Sequence, residues 1–516
     1  MVWHPNRLEA ERLHKAQALE AMGVSLFPPR SQRTHTCAEA AALGHAHADR
    51  LEDPALAEQL TVTVCGRIRR VNITGKVSFL HIEDQSGRVQ LFVRFNDMAE
   101  AEYRLVGDKL VEMDDFVQAT GVMMKTKAGE ISVRVHTLRL LAKALSPLPV
   151  IKEQRLDDGS VVEYGEFSDT ESRYRQRYAD LAVNRRVRDV FVSRAVIIRT
   201  LRRFLDDAGM LEVETPILQP LYGGAAARPF VTHHNELDQD MYLRVSFELY
   251  LKRLLVGGYD GVYEIGRDFR NEGVSWKHNP EFTMLEFYKA YIDYHGVMAL
   301  NEAMVAACAQ AVHGSTRAPF DGHLIEYAPP WRRVTMREAI REKTGLDYMD
   351  TPNAADLEAA IRARFAPTDL APGLPWGKLI EYLFGEHVEK TLIQPTFILD
   401  YPRDISPFAK RVEGDSVHVE RFEAYIGGME IGNAFTELND PRDQEQRFLD
   451  MAATFRAGDD DETPLDEDYL RAMRYGMPPC GGFGMGIDRL VILLLDQKSI
   501  RDVLLYPALK QETPGV

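Results

Sequence analysis

Between residues 60 and 145 apolar and polar side chains alternate with a period of two, and glycines at Gly75, Gly87 and Gly129 mark turns. The alternation predicts five strands: Val62–Arg69, Val77–Glu83, Val89–Phe95, Phe116–Lys125 and Ile131–Leu141. Short strands at this spacing suggest a small closed barrel of the OB type, which often presents a sheet face to single-stranded nucleic acid. Phe79 and His81 on one strand, with Gln90 on the next, are the candidates for that face, Phe79 being either platform or core. Ahead of the barrel, in an extension of residues 1–59, Asn6–Glu9 reads as a capping box. A helical period follows through Leu8, Leu13, Ala16 and Leu19 to Gly23; such a helix could pack on the next domain or form an RNA-binding arm, and it is read as mostly solvated. Residues 146–172, opening on Ser146-Pro147-Leu148-Pro149, form a linker. In the larger domain beyond it, 173–516, a helix is predicted over Arg188–Asp207, apolar at Val192, Ala195, Val196, Ile198, Leu201 and Leu205 and stopped by Gly209. Residues 300–400 are alanine-rich and largely helical, without a chemical motif.

Two hairpins and one glycine run carry the chemistry. Phe269–Tyr288 reads as strand, polar loop and returning strand, and alternation puts Phe282, Met284, Glu286 and Tyr288 on one face. A carboxylate on an apolar, aromatic face is costly unless a cation meets it. Arg270 adds a planar fork suited to phosphate or carboxylate. One hairpin thus offers an anion site, an aromatic platform and a cation site.

Residues 420–437 form the second hairpin, turning at Gly427-Gly428, with Asn433, Phe435 and Glu437 on one face. Glu423 and Glu430 approach each other across the turn, a pair suited to Mg²⁺ bridged to phosphates. Strict alternation puts Glu430 on the opposite face from Glu437, and a bulge at Gly432 would reconcile them. In Gly481–Arg489 alternating glycines allow close backbone approach, and Arg489 falls in the first turn of the following helix, whose N-terminus favours anions. The chain holds no Gly-x-x-x-x-Gly-Lys-Ser/Thr run, so the three segments describe an ATP site built without that phosphate loop.

The 516 residues are 45% apolar and 27% charged, enough for two or three soluble domains. The net charge of −16 discourages non-specific nucleic-acid binding but leaves room for local basic faces such as Arg67, Arg69, Arg70 and Lys76. Cys37, Cys65, Cys308 and Cys480 are scattered, which argues against a disulfide framework or structural zinc and fits a reducing cytoplasm. The longest apolar run, Leu490–Leu495, is too short to span a bilayer, and no secretory signal is expected.

Phe269-Arg270-Asn271-Glu272 with His278–Phe282 resembles motif 2 of class II aminoacyl-tRNA synthetases, Gly482–Arg489 resembles motif 3, and the helix leading to Glu214-Thr215-Pro216 resembles motif 1. The barrel points to the group charging Asp, Asn and Lys. Gly223–Phe230 and Glu248–Arg253 resemble the lysyl-tRNA synthetase versions, although Ser246-Phe247 stands where Ala-Pro is usual. The resemblance implies an α+β protein, an OB-type barrel followed by a large antiparallel-sheet catalytic domain with helices. It implies a homodimer through the motif 1 region that joins lysine to tRNA(Lys) with ATP and Mg²⁺. Arg270 and Arg489 would be catalytic, and with Glu272, His278 and Phe282 would bind ATP. Gly224, Glu248, Arg270, Glu286, Tyr288, Asn433, Phe435 and Glu437 would bind lysine, Glu423 and Glu430 the metal, and Phe79, Gln90 and Glu130 the anticodon. Lys252, four residues past Glu248, equally makes that acid a plain helix ion pair.

Overall fold

The computed structural model describes residues 3–51, 53, 56, 59–149, 152–155, 161–164, 167, 169–454 and 465–511. They fall into two compact units, Met1–Ser168 and Asp169–Val516.

In the first unit five strands close a barrel in the order β1-β2-β3-β5-β4: β1 Thr61–Thr74, β2 Val77–Glu83, β3 Arg88–Arg94, β4 Phe116–Lys125 and β5 Ile131–Ala142. The inward residues of the alternating pattern, among them Val64, Leu80, Leu91 and Val133, are fully buried. Helix α1, Arg7–Ala21, carries the expected capping box at Asn6, but one face is not solvated. Leu19 joins the barrel core, Arg12 donates to the Ala144 carbonyl at 3.1 Å, and Lys15 pairs with Glu112 at 2.7 Å. The sequence pattern missed this because the contact uses long polar side chains, whose stems pack while their heads bond. A second helix, α2 Cys37–Ala46, was not foreseen; its Thr36 capping box is local, and Gly44 lets it close on Met123 and Ile131. Part of the expected linker forms a two-stranded pairing, Lys152–Arg155 with Val161–Tyr164, and its intervening residues lie outside the described ones.

The second unit is organised by an eight-stranded sheet. Its strands are β6 Leu211–Glu212, β7 Gly261–Phe269, β8 Glu281–Ala290, β9 Arg332–Thr335, β10 Thr396–Pro402, β11 His418–Ile426, β12 Met429–Thr436 and β13 Cys480–Gly486. The spatial order is β9-β10-β11-β12-β13-β8-β7-β6, antiparallel through the middle and parallel only at β9–β10 and β6–β7. Helix α3, Arg185–Asp207, begins three residues before the predicted start and buries Ile197, Leu201 and Leu205. From it Arg194 reaches Asp488 at 2.6 Å and the Thr283 hydroxyl at 3.0 Å, while Asp488 accepts the Thr283 backbone N–H at 2.8 Å. One buried junction therefore ties the three motif segments together.

In the barrel Lys143 and Asp115 form a fully buried pair at 2.9 Å. Removing one member of such a pair strands the other charge. Lys143→Met should destabilise the barrel by about 3 kcal/mol, read as a lowered denaturant midpoint of the full chain.

Candidate active site

A cleft of about 370 Å³ opens over the centre of this sheet. Its floor is β13, with β8 and β12 on either side. Glu286 and Asn433 flank Gly484, and Tyr288 and Phe435 flank Gly482. A Cβ at Gly482 would strike both the Tyr288 ring and the Glu437 carboxylate, whereas one at Gly484 would only touch Glu286 at 3.5 Å. The glycines thus remove side chains from the floor so that acids and aromatics from the neighbouring strands can lean over it. As alternation required, Phe282, Met284, Glu286 and Tyr288 all line the cleft.

At the acidic end Glu286 is nearly fully buried. Ser246 donates to one of its oxygens at 2.8 Å and Tyr288 to the other at 3.1 Å. Burial, then the nearby Asp268 and Glu248 charges, push its pKa well above the ordinary carboxylate range. Ser246 also accepts the Glu248 N–H at 3.0 Å, at the start of helix α4, Glu248–Val256. Gly224, at φ +87°, packs against Ser246 and Glu248. Lys252, fully buried one turn along α4, reaches Glu248 and Glu437, each at 2.5 Å. Burial opposes its charge, but the two carboxylates outweigh it and its pKa rises well above the usual lysine value. Glu437, expected with Glu286 and Tyr288 at the ammonium site, is fully buried behind Gly482.

At the basic end the Arg270 guanidinium lies 5.1 Å from the Phe282 ring centre. His278 sits at the rim, 2.8 Å from the Ser275 hydroxyl and 3.3 Å from Arg489. Desolvation, then the Arg489 and Lys277 charges, depress it to about 4, so it is neutral at physiological pH. Arg489 grips both the backbone carbonyl and the carboxylate of Glu430, at 2.8 and 3.1 Å. Glu272 lies on the exposed loop at the cleft mouth.

The bulge that brings Glu430 onto the face of Asn433, Phe435 and Glu423 does exist. Ala424 pairs with Gly432 and Tyr425 with Glu430, so the extra residue is Ile431, one position from the expected Gly432. Glu423 is held by Arg421 at 2.6 Å, Tyr401 at 2.8 Å and Tyr425 at 2.5 Å. No group of three or more His, Cys, Asp or Glu suited to a metal occurs among the described residues. Two carboxylates alone fit an ion that takes its remaining ligands from phosphate and water, as Mg²⁺ does.

In the barrel, Gln90 donates to Glu130 at 2.7 Å, His81 meets the same carboxylate at 3.0 Å, and Ser132 donates to Gln90 at 2.8 Å. Phe79, half-buried, stands edge-on to Phe92 at 5.5 Å. The three candidates therefore share one patch, and Phe79 is not a core residue.

A family model described as tRNA synthetases class II (D, K and N) matches residues 169–510, and one described as OB-fold nucleic acid binding domain matches residues 62–141. A lysine–tRNA ligase of Roseiflexus castenholzii is 51% identical over 508 residues, covering 98% of this chain and 99% of that protein. One from Chloroflexus aurantiacus is 48% identical over 98% of this chain and 99% of its own. The chain belongs to the lysine–tRNA ligase family. Within this class II frame the cleft also holds side chains that pattern reading passed over. Arg421 bridges Asn433 at 3.1 Å and Glu423. Its signal was present, since it shares a strand face with Glu423, two residues away. Ser246 was noted only as a departure, yet it orients Glu286.

Gly482→Ala should cost about 1–3 kcal/mol through overpacking against Tyr288 and Glu437. A lowered melting temperature, with Gly484→Ala much milder, is the expected result.

Proposed function

We propose that this chain activates L-lysine with ATP to lysyl-adenylate and pyrophosphate, then transfers lysine to the 3′ end of tRNA(Lys). The observation that carries this reading is a single cleft with three arginines, Arg270, Arg421 and Arg489, at one end and two buried acids, Glu248 and Glu286, at the other. Lysine fits that polarity: its carboxylate lies toward Arg270, its α-ammonium toward Glu248 and Gly224, and its ε-ammonium toward Glu286 and Tyr288, beside Asn433 and Phe435 with Glu437 behind. Adenine stacks on Phe282 with its amino group toward Glu272, and the triphosphate runs past Arg270 and Arg489 toward His278.

Attack of the lysine carboxylate on the α-phosphorus requires no general base, because the nucleophile is already ionised. Catalysis is positioning plus charge stabilisation: Arg270 holds nucleophile and electrophile together, and Arg489 offsets charge developing on the phosphates. Glu423 and Glu430 would hold Mg²⁺, which when bound neutralises phosphate charge. Phe79, Gln90 and Glu130 read the anticodon, Phe79 by stacking. The motif 1 region, with Glu214-Thr215-Pro216, forms a homodimer contact. Four unpaired cysteines support a cytoplasmic setting, and no described helix is long and apolar enough to cross a membrane.

ATP–pyrophosphate exchange should occur with lysine alone among the twenty amino acids, and Glu286→Gln should weaken it by at least about tenfold. Exchange with aspartate or asparagine instead would overturn the pocket assignment. Phe79→Ala should leave exchange unchanged while lowering kcat/KM for tRNA by about 10–100-fold, the worth of one stacked base. Light scattering at micromolar concentration should give twice the chain mass, and a monomer would exclude the dimer.

A further inference from the structure

Arg421 has no part in the reaction proposed above, although it lines the cleft and its side chain is only 12% exposed. It stands two residues before Glu423 on the same face of β11, and the ring centres of Tyr401 and Phe435 lie 4.4 and 5.7 Å from its guanidinium. Its Nε donates to Asn433 Oδ1 at 3.1 Å and its Nη2 to Glu423 Oε1 at 2.6 Å. These two nitrogens form one edge of the planar group, and that edge closes over Glu423 and Asn433, which are direct partners on β11 and β12. At the other end Nη1 donates to the Ile405 carbonyl and the Ser406 hydroxyl, both at 2.9 Å, on the loop between β10 and β11. The contact with Nε also settles which way Asn433 faces. Its oxygen must meet the guanidinium, because the amide nitrogen would set donor against donor. The amide nitrogen is therefore left for the cleft, which Asn433 lines.

We infer that Arg421 is a positioning residue: one rigid guanidinium holds the Asn433 amide and the Glu423 carboxylate in a fixed mutual orientation, and so aligns the lysine carboxylate with the α-phosphorus it attacks. The inference rests on the lysine-activating reading. An amide N–H bonds an oxygen and not an ammonium, and the oxygens which that reading brings to the cleft are those of the lysine carboxylate and the phosphates. Glu423, on the same guanidinium edge, is the acid that reading assigns to Mg²⁺. The ligands of nucleophile and electrophile thus share a single brace. The sheet alone puts Asn433 and Glu423 in neighbouring places, and the fork adds the angle between them. A lysine at 421 would keep the charge but offers no planar edge, and one ammonium cannot also span to the loop. Loss of the fork therefore acts on alignment more than on affinity, because Arg270, Glu248, Glu286 and Phe282, which bind the two substrates in that reading, are left in place.

The test compares wild type, Arg421→Lys, Asn433→Ala, Arg421→Lys/Asn433→Ala and Ser406→Ala by lysine-dependent ATP–pyrophosphate exchange. Arg421→Lys should lower kcat by about 100-fold, the cost of reacting groups misplaced by a fraction of their spacing. Its KM values for lysine and ATP should stay within about fivefold of wild type. In the double variant the loss of kcat should fall short of the product of the single losses by about fivefold or more, because Arg421 acts partly through Asn433. Apart from turnover, affinity for the Mn²⁺ complex of α,β-methylene-ATP, read from the electron paramagnetic resonance of the bound ion, should fall about tenfold in Arg421→Lys as Glu423 loses its brace. A kcat within about threefold of wild type, a loss carried by KM, fully multiplicative single losses or an unchanged Mn²⁺ affinity each overturn the inference. If Arg421→Lys does not fold, Ser406→Ala decides, since it removes only the hydroxyl that braces Nη1 from the loop. It should lower kcat by about three- to tenfold with both KM values kept, and an unchanged kcat overturns the inference. Failure of the wild type to exchange with lysine sinks the functional reading itself, a distinct result.

Discussion

The site depends on one constraint: the central strand of the sheet must carry no side chains where the cleft opens. Gly482 and Gly484 lie between Tyr288, Phe435, Glu286 and Asn433, and only their bare backbone leaves depth for those side chains. A sheet normally fills such positions with β-branched residues, which stabilise it. Here that packing is given up over two residues. The apolar face beneath compensates, since Phe483 and Met485 on the same strand point into the main core with Phe287 and Leu285. The strand is thus a wall on one side and a vacancy on the other, with a period of two.

The second organising feature is the separation of charge along the cleft. Arg270, Arg489 and Arg421 gather near Phe282, Glu423 and Glu430, while Glu248, Glu286, Glu437 and Lys252 gather under Ser246 and Tyr288. Each cluster is internally hydrogen-bonded, which keeps buried charges tolerable without substrate. Hydroxyls do much of this work: Ser246 and Tyr288 grip Glu286, and Tyr401 and Tyr425 grip Glu423. A carboxylate oriented in advance loses little further freedom when an ammonium or metal arrives.

Much of this was legible in the sequence because strand alternation is strictly local. Phe282, Met284, Glu286 and Tyr288 were placed on one face by period two alone, and the barrel strands by alternation between glycine turns. The chemistry of the motifs supplied Arg270 and Arg489. What escaped depends on pairings distant in the chain. Nothing near Glu437 announces Lys252, which lies 185 positions earlier on another element. The bulge at Ile431 was anticipated one residue away because only the pairing partner, Tyr425, fixes which residue is extra. Helix α1 was misjudged for the same reason: the acids that hold Arg12 and Lys15, Asp114 and Glu112, belong to the segment before β4.

The position of β13 has a consequence for how the chain comes into being. Strands β6 to β8 form one block and β9 to β12 another, and β13 alone joins them. Yet Cys480–Gly486 follows every other strand of the sheet in the chain and so leaves a ribosome after them. Until it emerges, β8 and β12 each present an open edge, a template for pairing with another chain. The barrel, complete by Ala142, needs nothing that follows it for its strand ladder. A growing chain therefore carries a finished OB-fold barrel while its catalytic half waits, in two pieces, for the seven residues of β13.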